Sequence, residues 1–110
     1  LVEEAVAALR KEEPGLVLWV ESRWGWAELS ILRVPWDRRG QGVFRRVVDV
    51  LTEAADLAGV GLAVTPTGEF GADLERLRRF YEGYGFVRNT GERRDWDTTA
   101  DYIRPVGGGR

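Results

Sequence analysis

The spacing of apolar residues changes several times along this chain, and each change marks an element. Val2, Ala5, Val6 and Leu9 recur at helical spacing with Glu and Arg between them, which predicts an amphipathic helix over residues 2–12, ended by Pro14-Gly15. Leu16 to Glu21 is apolar and rich in β-formers and reads as a strand. Ser22 to Gly25 reads as a turn, and Trp26 to Val34 as a longer strand that closes an antiparallel hairpin. Pro35 to Gly42 is polar with two glycines and reads as a loop. The helical period returns from Val43 to Ala58 through Val43, Val47, Val50, Leu51, Ala54 and Leu57 or Ala58, with Gly59 as its C-cap. Val60 to Thr65 is a continuous apolar run, the pattern of a strand buried on both faces. Pro66 to Gly71 is a loop, and Ala72 to Tyr84 a helix with Leu74, Leu77, Phe80, Tyr81 and Tyr84 on one side. Phe86 to Arg88 starts a strand, Thr90 to Thr98 is loop-like, and Asp101 to Val106 supplies a last strand.

This order predicts a single α/β domain over residues 1–106, with residues 107–110 as a frayed tail. Its sheet is mixed: mostly antiparallel around a central parallel pair, flanked by helices, with a right-handed strand–helix–strand crossover. No internal repeat or linker interrupts it.

Composition narrows the chemistry. The 110 residues suit one domain, and 44% hydrophobic with 31% charged residues is ordinary for a globular protein. There is no Cys, which excludes disulfides, thiolate metal sites and a cysteine nucleophile. There is no His either, so acid–base chemistry falls to Asp, Glu, Tyr, Lys or a chain terminus, and no metal is expected. The net charge of −2 argues against nucleic acid as a partner, although Arg76, Arg78, Arg79, Arg93 and Arg94 are the residues that would carry such binding. No apolar run reaches the roughly 20 residues that cross a bilayer. Leu1 to Leu9 holds Glu3 and Glu4 and no basic leader, so the expected location is the cytoplasm. The chain has no Met, not even an initiator, which leaves room for residues before Leu1.

The loop Arg38-Arg39-Gly40-Gln41-Gly42-Val43 lies between a strand and a helix. The first N–H groups of a helix lack internal partners and carry the positive end of its dipole, which suits a phosphate. Gly40 and Gly42 let the backbone approach a ligand, and Arg38, Arg39, Arg45 and Arg46 place cations beside it. No Gly-Lys-Ser/Thr ending makes it a P-loop, and Arg45 stands where a dinucleotide fingerprint needs its third glycine. By itself the loop fits a phosphate site and a plain strand-to-helix turn equally well.

Here the chain resembles the GNAT family of N-acetyltransferases. Their signature, Arg/Gln-x-x-Gly-x-Gly/Ala, opens a helix; Arg39 and Gly42 match it, and Phe44 stands at the Gly/Ala place. The preceding Val34-Pro35 is similar to the family's strand end, and Phe80-Tyr81-Glu82-Gly83-Tyr84-Gly85-Phe86 to its Tyr-x-x-x-Gly-Phe element. The resemblance spans about residues 26–89. It implies a GNAT-like fold and acetyl-CoA as donor, with the N–H groups of Gln41, Gly42, Val43, Phe44 and Arg45 on the pyrophosphate. It also implies that the backbone of Leu32 and Val34 pairs with the pantetheine arm where parallel strands splay, and that Leu32 N–H serves the oxyanion. Phe44 must then turn its ring away from the pyrophosphate or crowd it. Leu74 and Leu77 replace the family's Asn and Ala, so acceptor contacts do not carry over.

Such transfer needs a neutral amine. At pH 7 only about 1 in 2,500 lysine-like amines is neutral, a cost of about 4.6 kcal/mol. Glu28, fourteen residues before Gly42, matches by spacing the base of several family members, and plain strand alternation puts it on one face with Ser30, Leu32 and Val34. It reads equally as a solvated strand residue. Glu21 is the second choice of base, and Glu69 and Asp73 read as helix caps near an acceptor entrance. By resemblance Tyr81 protonates the departing thiolate; core packing is its other reading. Trp24, Trp26 and Trp36 line an acceptor pocket or serve packing. The expected function is acetyl transfer from acetyl-CoA to an unidentified primary amine. The alternative is a non-catalytic acyl-CoA-binding or interaction module, and a homodimer is left open.

Overall fold

The computed structural model describes residues 1–66 and 73–107. Among them the order is α1 (Val2–Glu12), β1 (Val17–Arg23), β2 (Trp26–Arg33), α2 (Val43–Ala58), β3 (Gly61–Val64), α3 (Leu74–Gly83), β4 (Val87–Arg88) and β5 (Tyr102–Arg104), with 3₁₀ turns at Trp36–Arg38 and Gly91–Arg93. The five strands form one open sheet in the order β1-β2-β3-β5-β4. Only β2 and β3 run parallel, joined through α2; the other neighbours are antiparallel. The chain is thus α/β with a mixed sheet and one central parallel pair. The expected loop over 67–71, the expected helix start at Ala72 and the tail from Gly108 fall outside the described residues, as does Glu69.

The sheet turns one face to the helices. Val6 and Leu9 of α1, Val47 and Leu51 of α2 and Tyr81 of α3 share one buried cluster with Leu18, Ala27, Leu62, Val64 and Tyr102. Leu62 pairs with Arg104 and Val64 with Tyr102, so these strands present alternate residues to the same side. The other face holds a smaller cluster of Ala63, Ala100 and Ile103 with Trp26 against it. There the loop after β4 covers the sheet. Buried Asn89 pins that loop by donating to the carbonyls of Asp95 and Ala100 (3.0 and 3.3 Å) and accepting from the Asp95 amide at 2.8 Å.

The β1–β2 hairpin closes more tightly than expected. Arg23 still pairs with Trp26, which leaves a two-residue turn, Trp24-Gly25. Both residues have positive φ, 50° and 83°, as a turn that follows the right-handed strand twist requires. β1 therefore runs two residues beyond the predicted Glu21.

The register also corrects an expectation about β2. Val20 pairs with Leu29 but Trp19 with Ile31, so Ser30 is an extra residue on β2, a β-bulge. The bulge shifts the alternation by one. Leu18, Val20 and Ser22 oppose Leu32, Leu29 and Ala27 on the helix-covered face, whereas Trp19, Glu21 and Arg23 oppose Ile31, Glu28 and Trp26 on the other. Glu28 does not share a face with Leu32.

Candidate functional site

β2 and β3 stay paired from Trp26–Gly61 to Leu29–Val64 and then part. β2 continues to Arg33, whereas β3 stops at Val64 and is followed by Pro66, which has no N–H for a ladder. The bulge at Ser30 begins at the point of separation. The gap is the mouth of a cleft of about 660 Å³, within the range of small-molecule sites. Its floor is the stretch 29–34, one wall is the glycine loop with the first turn of α2, and the other is the face of α3 that carries Arg76, Leu77, Phe80 and Tyr81. Among the described residues five arginines line it, Arg33, Arg38, Arg39, Arg45 and Arg76, against one acid, Asp73.

The glycine loop has the conformation its sequence suggests. Gly40 and Gly42 sit at φ 77° and 81°, where a side chain is disfavoured. Gly42 is the N-cap of α2, with no side-chain cap and no acid in the first turn. The first helical bond runs from Arg46 N–H to Gly42 C=O at 3.0 Å, so the amides of Val43, Phe44 and Arg45 precede the helical ladder. Gln41 holds the loop internally: its amide donates to Asp37 C=O at 3.0 Å and its oxygen accepts from Arg38.

The cations divide into two kinds. Arg38 grips the Glu13 carboxylate, with its shortest contact at 2.6 Å, and Arg46 grips Glu12 at 2.7 Å. These pairs fasten the loop and α2 to the end of α1. Arg38, first by hydrogen bonding and then by charge, holds the Glu13 carboxyl below the usual carboxylate range. Arg39 donates to Val34 C=O at 3.2 Å and lies 4.3 Å over the Trp36 ring, and Arg45 lies 5.7 Å over Phe80. No sequence signal pointed to Glu12 and Glu13, because both pairs span more than twenty residues.

Phe44 turns its ring toward α3, with edge-on contacts to Phe80 and Tyr81 at 5.2 and 6.1 Å. Its side chain thus fills the wall of the cleft. Tyr81 is only 2% exposed, and burial drives its phenol pKa well above the ordinary tyrosine value. Tyr81 belongs to the buried core cluster and is also among the residues that line the cleft.

Glu28 stands apart. It is not in the cleft lining; it lies on the opposite sheet face and accepts from the Thr98 hydroxyl at 2.7 Å. It is nevertheless one residue before Leu29, where the strands part. Leu32 and Val34 line the cleft as expected, though Val34 C=O is already engaged by Arg39. Glu21 is exposed, beside Arg23 at 3.7 Å. Asp73 caps α3 by accepting from Arg76 N–H at 3.2 Å. Of the tryptophans, Trp26 lies across Gly61, Trp24 forms the hairpin tip, and Trp36 lies under Arg39, which lines the cleft. Of the arginines considered for nucleic acid, Arg76 lines the cleft, Arg78 pairs with Glu75 on α3 and Arg94 stacks on Trp96 in the loop after β4, while the Arg93 side chain lies outside the described residues.

Among the described residues no group of three or more acids is placed to hold a metal, and no helix is long and apolar enough to cross a membrane. Comparison of the chain with known protein families, with curated proteins and with solved structures gives no match.

Proposed function

We propose that this chain is a GNAT-type N-acetyltransferase that moves the acetyl group of acetyl-CoA to a primary amine. One observation carries the reading: the gap where two parallel strands part leads directly to the uncapped, acid-free first turn of α2. In this reading the amides of Gln41 to Arg45 receive the pyrophosphate, with Arg39 and Arg45 beside them. The backbone of Leu32 and Val34 along the cleft floor receives the extended pantetheine arm, as an added strand would pair, with Arg39 yielding the Val34 carbonyl to it. That places the thioester at the separation point near Leu29, within reach of both sheet faces.

The chemistry is direct. The amine nitrogen bonds to the carbonyl carbon, the carbon–sulfur bond breaks, the ammonium loses a proton and the sulfur gains one. Glu28 receives the amine's proton through water from the face opposite the helices, with Thr98 fixing its carboxylate. The bulge after Leu29 sets Glu28 and Leu32 on opposite faces, so base and oxyanion donor would approach the thioester from the two sides of the sheet. Tyr81, protonated before the step because burial disfavours its phenolate, gives its proton to the departing sulfur and takes one back from solvent through the cleft. The Leu32 N–H is the oxyanion donor.

The test is release of free thiol from acetyl-CoA across a panel of amines. Glu28→Gln and Tyr81→Phe should each lower kcat by about 10²- to 10⁴-fold with the melting temperature preserved. Wild-type kcat in both variants would sink the role assignments. A second reading, an acyl-CoA-binding module without catalysis, is favoured by the absence of Glu28 from the cleft lining. Binding without turnover on any amine selects it. No melting shift with millimolar coenzyme A removes both.

A further inference from the structure

Three tryptophans are almost fully in water: Trp36 at 81%, Trp96 at 80% and Trp24 at 77% exposed. Trp24 sits at the hairpin tip, in the turn that reverses the chain. Trp96 belongs to the loop that Asn89 pins over the sheet's second face, with Arg94 4.4 Å over its ring. Trp36 also carries a guanidinium on one face, that of Arg39 at 4.3 Å, but Arg39 lines the cleft. Trp36 is thus joined to the basic cleft through the arginine that stacks on it, and it is close in sequence to the glycine loop.

The ring is held, not loose. Arg39 is tied to Val34 C=O on the cleft floor, and Pro35 precedes the 3₁₀ turn that begins at Trp36. With 81% of its surface open, Trp36 keeps a broad aromatic face in solvent. Exposed apolar area of this size is unfavourable in water, and the local turn needs no aromatic residue for its geometry. A planar heterocycle carried by a phosphate-bearing ligand would cover that face once its phosphates reached the α2 amides.

We infer that Trp36 is the stacking platform for the base of a nucleotide-borne acyl donor, an inference that rests on the acyltransferase reading above. The platform selects coenzyme A thioesters over the same pantetheine arm presented without a nucleotide, as on a carrier protein. Arg39 braces the ring from behind and adds charge beside the diphosphate.

Binding of coenzyme A and of 4′-phosphopantetheine is measured by calorimetry on the wild type, Trp36→Leu, Trp36→Phe and Trp96→Leu. Trp36→Leu should weaken coenzyme A about tenfold to a hundredfold and leave phosphopantetheine unchanged. Trp36→Phe should restore most of the loss, and Trp96→Leu should change neither ligand. Equal weakening of both ligands in Trp36→Leu, or no weakening of either, overturns the inference and leaves the acyltransferase reading standing. A wild type that binds coenzyme A no tighter than phosphopantetheine has the same consequence. A wild type that binds neither overturns the acyltransferase reading and this inference with it.

Discussion

The two ends of the β2–β3 pair are built from the same strands, yet one is sealed and the other open. At the sealed end Trp26 lies across Gly61, and Gly61 N–H reaches Gly25 C=O at 3.2 Å. The carbonyl ends of α2 and α3 arrive there, and the protein answers them itself. Val60 N–H bonds Ala55 C=O at 3.0 Å, and Arg104 donates to Tyr84 C=O at 2.8 Å while its guanidinium grips Asp56. At the open end the amide ends of the same helices arrive, but Asp73 caps only α3, and α2 has no side-chain cap. Negative helix ends matched by a buried arginine and a positive helix end left uncapped in a cleft are a stabilising device and a binding device. The contrast locates function where the protein leaves its own electrostatics incomplete.

The sharpest way to break the sealed end is Arg104→Met. The Arg104 side chain is 4% exposed and that of Asp56 36%. Loss of the guanidinium should cost about 2–4 kcal/mol, below the loss for a fully buried pair because Asp56 keeps contact with water. Urea unfolding measures it, and adding Asp56→Asn should recover part of the loss. A loss under about 0.5 kcal/mol, the range of ordinary surface changes, would mean that the pair does not close this end. Coenzyme A binding to the folded fraction should change little, since the open end is untouched.

Gly61→Ala comes next. A Cβ there would stand 2.3 Å from the Trp26 ring and 3.0 Å from Arg104 C=O. The ring can swing outward but the carbonyl cannot, so the expected cost is about 1–3 kcal/mol. Pairing the change with Trp26→Leu should relieve the part owed to the ring. If Gly61→Ala melts like the wild type, the close approach of these strands is not what seals this end.

Much of the frame was legible because it is local. α1 and α2 fall at the predicted residues, and Gly59 caps α2 with φ 72°, because helical spacing and a terminal glycine are short-range signals. The hairpin was legible but its turn was misplaced, since Trp24 is an unexpected residue for a left-handed position. The bulge left a trace that plain alternation overlooked: the alternation of Ala27, Glu28, Leu29, Ser30 and Ile31 breaks at the adjacent apolar pair Ile31-Leu32. That one residue puts Glu28 and Leu32 on opposite faces. The insertion of β5 between β3 and β4 and the grip of Glu13 on Arg38 left no local trace, because each depends on residues distant in sequence.

The smallest expected effect tests whether the open end is held in shape from outside. Arg38 fixes the glycine loop to Glu13 just beyond α1. Its hydrogen bonds and charge lower the Glu13 pKa in the folded chain relative to the unfolded one. A depressed carboxyl contributes stability that is present above the unfolded value, about 4.3, and is lost as pH falls through the lower folded value. Glu13→Gln should therefore flatten the acid limb of a melting-temperature profile between about pH 5 and pH 3, and should match an acidified wild type more closely than a neutral one. At neutral pH the variant should also bind coenzyme A slightly more weakly, because Arg38 no longer anchors the loop that presents the α2 amides. Arg104→Met provides the control: its loss belongs to the sealed end and should leave the Glu13-dependent acid limb in place. If the profiles of wild type and Glu13→Gln superimpose down to pH 3, the bridge does not hold the loop, and the shape of the open end comes from Gly40, Gly42 and Gln41 alone.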